Sequence, residues 1–171
     1  MFMKAIILIF FIMGCSVGKP IRTVESVNLD KFLTKWYVIA GRLTYFEKGA
    51  HNAVEDYSWA ENKEHIKINF YFNKDNYSGE VKSIPQKAWV YNTTSNAHWK
   101  VRPFWPLKLD YIILDIAEDY SWTAVGVPNQ NYLWIMAKDW KMSDEKLQEI
   151  IKRLNNIDYS TKDIIRVPQK W

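Results

Sequence analysis

Trp122-Thr-Ala-Val-Gly126-Val-Pro128-Asn-Gln-Asn-Tyr132-Leu-Trp134-Ile-Met136-Ala-Lys138 is the stretch whose reading decides the fold. Two runs rich in β-branched and aromatic residues, 121–127 and 132–138, flank Pro128-Asn-Gln-Asn131, a cluster of turn formers. The connection is too short for a parallel crossover, so the pattern predicts an antiparallel hairpin.

Upstream, strand-like runs recur at 36–40, 54–60, 65–72, 80–83, 87–91, 98–104 and 109–117, joined by short polar turns such as Glu61-Asn-Lys-Glu64 and Asn92-Thr-Thr-Ser-Asn96. Ile66, Ile68, Phe70 and Phe72 alternate with Lys67, Asn69 and Tyr71, which puts an apolar face toward an interior. Downstream, Ser143 caps a predicted helix over 143–154 whose first turn is acidic and whose Leu147, Ile150, Ile151 and Leu154 share one face. A last strand over 163–167 then covers an unpaired edge. The sum is an all-β domain over 26–171 with one C-terminal helix. Its architecture is an eight-stranded antiparallel up-and-down β-barrel, wide enough inside for side chains or one small ligand.

A chain of 171 residues suits one such domain, and its 9 Trp, 10 Tyr and 8 Phe suit strands with an aromatic interior. The net charge of +4 is small and the basic residues are scattered, so nucleic acid is not an expected partner. The chain is read as a monomer or weak homodimer.

Asn28-Leu-Asp-Lys-Phe-Leu33 ahead of Trp36-Tyr37, the segment Tyr111-Ile-Ile-Leu-Asp115, and Val-Gly126-Val-Pro128 with Tyr132-Leu-Trp134-Ile carry a further message. Together they resemble the lipocalins, specifically the bacterial outer-membrane lipoprotein lipocalins related to apolipoprotein D, over nearly all of the mature chain. Thr34 stands where that family usually has glycine, and Lys138 where it usually lays an arginine across the barrel-base tryptophan. A lysine still places a cation over the Trp36 ring, without planar stacking. The resemblance implies that Trp36 and Lys138 close the narrow end of the barrel. It also implies a cavity, open at the other end, that binds fatty acids, lysophospholipids or similar lipids without a cofactor.

With Trp36 facing inward, period two places Val38 and Ala40 inward, and placing Lys138 over Trp36 does the same for Tyr132, Trp134 and Met136. Alternation on the other strands adds Phe70, Phe72, Trp89, Tyr91, Trp99, Tyr111 and Ile113 to the candidate ligand wall. For each of these, plain core packing is the competing reading, since a small barrel fills its lower half with side chains in any case. The mouth is expected between residues 43–52 and Arg102-Pro-Phe-Trp-Pro106 with Lys108, a basic rim suited to a carboxylate or phosphate headgroup or to a membrane surface.

Residues 1–14 read as a signal peptide: Lys4, an apolar run over 5–13 too short to cross a bilayer, then Gly14 and the only cysteine, Cys15. Ile12-Met13-Gly14-Cys15 resembles the lipobox of bacterial lipoproteins. The resemblance implies diacylglyceryl attachment at Cys15, a lipidated tether over 15–25 and, with Ser16 next, sorting to the outer membrane. A single cysteine excludes an intrachain disulfide.

No nucleophile, metal-ligand cluster or phosphate-cradling loop stands out; His51, His65 and His98 are isolated, and Glu55-Asp56 reads as an exposed pair. A binding protein is therefore expected rather than an enzyme. The alternatives left open are an envelope interaction module with a solid barrel and a lipid-modifying enzyme.

Overall fold

The computed structural model describes residues 21–171. The predicted signal segment, Cys15 and the tether as far as residue 20 lie outside them.

A one-turn helix, α1 (Leu29–Phe32), leads into β1 (Lys35–Arg42), and Asn28 caps it by accepting a hydrogen bond from the Lys31 N–H. Seven strands follow: β2 (Ala50–Trp59), β3 (Ile66–Lys74), β4 (Val81–Val90), β5 (His98–Arg102), β6 (Leu109–Ile116), β7 (Trp122–Gly126) and β8 (Leu133–Ala137). Each pairs antiparallel with the next. β1 pairs with both β8 and β2, through Trp36 opposite Glu55, and this closes the eight strands into a barrel. The upper half of β1, which β2 leaves unpaired, is covered by β9 (Ile165–Arg166), docked opposite Ala40 and Gly41.

The predicted runs 80–83 and 87–91 are in fact one strand, β4, running through Pro85 opposite Asn69. β5 pairs with β4 only from Lys87 onward, so Pro85 has no neighbour on that side, the setting in which a residue without an N–H is tolerated.

Two apolar layers hold the fold. Inside the barrel, Trp36, Val38, Tyr57, Phe70, Phe72, Trp99, Ile113 and Met136 form one cluster with Phe32. Outside, helix α2 (Asp144–Asn156) buries Leu147, Ile150 and Leu154 against Ile112, Leu114, Trp122 and Ile135. Ser143 is the cap expected for α2, its Oγ accepting from the Lys146 N–H at 3.2 Å. Just beyond α2, Tyr159 is buried with its hydroxyl 2.7 Å from the Tyr132 carbonyl and accepting from the Val127 N–H at 2.9 Å. A Cβ at Gly126 would lie 2.2 Å from that hydroxyl, which explains the glycine in the β7–β8 hairpin.

Candidate functional site

The narrow end is a floor of aromatic rings. Phe32 in α1 contacts Trp36, Tyr57 and Trp99 with centroids 5.4, 5.5 and 5.2 Å away, and the Trp36 indole N–H donates to the Phe32 carbonyl at 2.8 Å. Lys138 lies 4.4 Å from the Trp36 ring and donates to the Lys31 carbonyl, so the cation expected there is in place. Above the floor the Tyr57 and Tyr111 hydroxyls meet at 2.5 Å. Burial pushes both phenols well above the ordinary value, leaving them neutral hydrogen-bonding groups.

Over this floor the barrel encloses a cavity of about 500 Å³ that opens between the 3₁₀ turn Tyr45–Glu47 and the chain following β5. Its apolar wall includes Ile68, Phe70, Ile84, Val101, Tyr111 and Trp134, and Pro103, Phe104 and Leu107 border the mouth. A larger, shallower groove lies on the outside of β2–β4, with Asp56, Lys67 and Lys87 among its lining residues. The barrel cavity is the better enclosed of the two and the one suited to an apolar ligand.

Of the predicted wall residues, Phe70, Tyr111, Tyr132 and Trp134 line the cavity. Val38, Phe72, Trp99, Ile113 and Met136 face the interior as packed core. Three face elsewhere. A bulge between Val38 and Ala40 breaks the alternation of β1, so Ala40 joins the layer beneath α2. On β4, Ala88 sits opposite Ile66 and both are buried in the interior cluster, which turns Trp89 and Tyr91 outward. Tyr91 is 65% exposed. The Trp89 ring instead receives Arg102 at 4.9 Å and Lys108 at 5.1 Å. The expected basic rim is thereby drawn to the outer wall, and among the described residues no Lys, Arg or His lines the cavity.

The cavity is acidic instead, through two residues that the sequence reading missed. Glu47 folds inward from the 3₁₀ turn, its carboxylate accepting from the Thr44 N–H at 2.6 Å and from the Trp134 indole N–H at 3.0 Å. Glu55, expected in an exposed pair with Asp56, is only 7% exposed, and its Oε2 is buried with no hydrogen-bond partner. Burial raises the pKa of Glu47 against the opposing effect of those hydrogen bonds. Burial, reinforced by the charge of Glu47, raises that of Glu55 well above 4.5. The signal for Glu55 was its place two residues before the inward Tyr57; nothing in the sequence marks a loop glutamate that turns inward.

The raised Glu55 pKa has a consequence for stability. Above pH 4.5 the unfolded chain loses this proton while the folded chain keeps it, so stability falls as pH rises toward the folded value. Glu55→Gln, which mimics the protonated acid, is expected to match the wild type near about pH 4 and to exceed it at about pH 8. The gap should widen by up to about 1.4 kcal/mol per pH unit, as read by urea denaturation. Parallel pH profiles would show that Glu55 is ionised in the folded protein.

A closed barrel with an aromatic floor and an apolar cavity open at one end belongs to the class of proteins that hold small hydrophobic molecules. The chain belongs to the lipocalin family: the family model described as a lipocalin-like domain matches residues 27–169. It is 27% identical to the outer membrane lipoprotein Blc of Vibrio cholerae, over 98% of this chain and 100% of that one. It is 28% identical to the outer membrane lipoprotein Blc of Escherichia coli, over 94% and 91%. Apolipoprotein D of Macaca fascicularis is 28% identical over 86% and 80%. Among solved structures, lobster apocrustacyanin A1 superposes with a TM-score of 0.66 at 12% identity, over 89% of this chain and 92% of that one. Insecticyanin of Manduca sexta does so with a TM-score of 0.64 at 14% identity, over 86% and 83%. The fold is common to all of them.

Proposed function

We propose that this protein is a lipid-anchored outer-membrane lipocalin that reversibly holds one single-chain lipid, a fatty acid, a lysophospholipid or a similar amphiphile, and performs no chemistry on it. The carrying observation is the enclosed cavity of about 500 Å³, walled by Ile68, Phe70, Val101 and Trp134 above a floor that is already filled. Burying an acyl chain there yields about 25 cal/mol per Å² of apolar surface removed from water, in a site that is largely preformed. A solid barrel serving only as an interaction module fits this cavity poorly.

Attachment at Cys15 is part of the proposal, supported by the lipobox-like Ile12-Met13-Gly14-Cys15 and by the outer membrane lipoproteins among the relatives. Tyr45 and Trp105, 83% and 81% exposed, stand beside the mouth with Phe46 and Phe104. Such side chains favour the membrane–water interface, so a tethered barrel is placed to exchange lipid at that surface.

Native mass spectrometry and tryptophan-fluorescence titration with fatty acids and lysophospholipids test the reading. One-to-one saturable binding with micromolar or tighter affinity is expected. No bound or copurified lipid would overturn it in favour of the interaction module. Separately, Cys15→Ala is expected to abolish labelled palmitate incorporation in cells, and normal acylation of that variant would remove the anchor from the proposal.

A further inference from the structure

The acyl-chain reading leaves open which polar group the ligand carries inward, and Glu55 addresses that point. It is a nearly fully buried carboxyl lining the cavity, and its Oε2 lacks a hydrogen-bond partner. An unsatisfied buried carboxyl is costly, and the nearby phenols of Tyr57 and Tyr111 pair with each other and not with Glu55. Glu47 adds a second carboxyl, already occupied by Thr44 and Trp134. Asp110, a third acid bordering the cavity, is already paired through one carboxylate oxygen with His98 and Lys100 at 2.5 Å each. Among the described residues no Lys, Arg or His lines this interior, so a carboxylate headgroup carried inward would meet Glu55 and Glu47 and no base.

We infer that the cavity selects a single-chain amphiphile bearing a primary ammonium group, which enters head-first and donates to Glu55 beneath the Trp134–Glu47 pair while its chain fills the apolar wall. The ammonium donates to the unpartnered Glu55 oxygen, and Glu55, protonated in the unliganded protein, releases its proton to solvent as the ion pair with the closely placed acids forms. The apolar surroundings strengthen that pairing over what it would be in water. This rests on the cavity being the lipid site, as proposed above.

The test keeps chain length fixed and varies the head. The full-length protein is titrated at about pH 7 with dodecylamine, dodecanol and dodecanoate, each below its micellar concentration, by Trp fluorescence and native mass spectrometry. Dodecylamine is expected to bind at least about tenfold more tightly than dodecanoate, with dodecanol between them. In Glu55→Gln the amine should weaken until the two charged ligands lie within about threefold of each other. The comparison of heads on the wild type stands on its own should that variant fold poorly. Equal or tighter binding of dodecanoate, or a preference for the amine that survives in a folded Glu55→Gln, would overturn the inference and leave the carrier reading intact. Failure of all three ligands to bind would remove the carrier reading itself, and the inference with it.

Discussion

Replacing Trp36 by alanine is expected to lower the free energy of unfolding by about 3–5 kcal/mol while leaving lipid affinity of the folded fraction nearly unchanged. Trp36 is fully buried at the base of the barrel and does not line the cavity. Its removal opens a void among Phe32, Tyr57 and Trp99 and frees the Phe32 carbonyl that its indole N–H now satisfies. Lys138 also loses the ring beneath it, worth about 0.5–1 kcal/mol at a partly exposed site. The strand pair that closes the barrel runs through the same residue, opposite Glu55, so the damage falls on closure and not on one wall. Urea denaturation followed by circular dichroism measures the loss. A change below about 1 kcal/mol would mean that the floor repacks around the void and that the aromatic cluster does not carry closure.

The residues that were legible in the sequence are those whose neighbours along the chain determine their surroundings. The β7–β8 hairpin follows from two β-rich runs and a four-residue turn, and helix α2 from its cap and its apolar face. The alternation of Ile66, Ile68, Phe70 and Phe72 survives intact because β3 is flanked by regular pairing along much of its length. Ala40 was misplaced because a bulge is a register event set by β8, and period two carries no trace of it. Trp89 and Tyr91 were misplaced because large aromatics favour interiors, whereas here the small Ala88 takes the inner position and Arg102 and Lys108 cover the outer indole. The acidic character of the cavity was hidden for a different reason. Glu47 is held inward by Trp134, 87 residues away, and Glu55 is an acid, a residue type ordinarily left to solvent, at an inward strand position.

Trp134→Ala is expected to show the opposite balance, weakening acyl-chain binding by about 5- to 150-fold, the equivalent of about 1–3 kcal/mol of lost apolar contact, with a smaller loss of stability than Trp36→Ala. Trp134 is half-buried because part of its ring faces the cavity, so the folded protein loses less packing when it goes. The ligand, in contrast, loses a large section of wall. The indole also anchors Glu47, so its removal deprives that carboxyl of one of the two donors that oppose its burial. Trp134→Phe separates the two effects, since it keeps an aromatic wall but has no N–H. It should retain most of the affinity for dodecanol, while the Glu47 pKa rises further as a donor to its ionised form is lost. Fluorescence is compromised by removing this indole, so native mass spectrometry or calorimetry should read the affinities. Unchanged affinity in Trp134→Ala would place the ligand outside the cavity. A stability loss as large as that of Trp36→Ala would mean that wall and floor form one structural unit, with no division of labour between holding the barrel shut and holding the lipid.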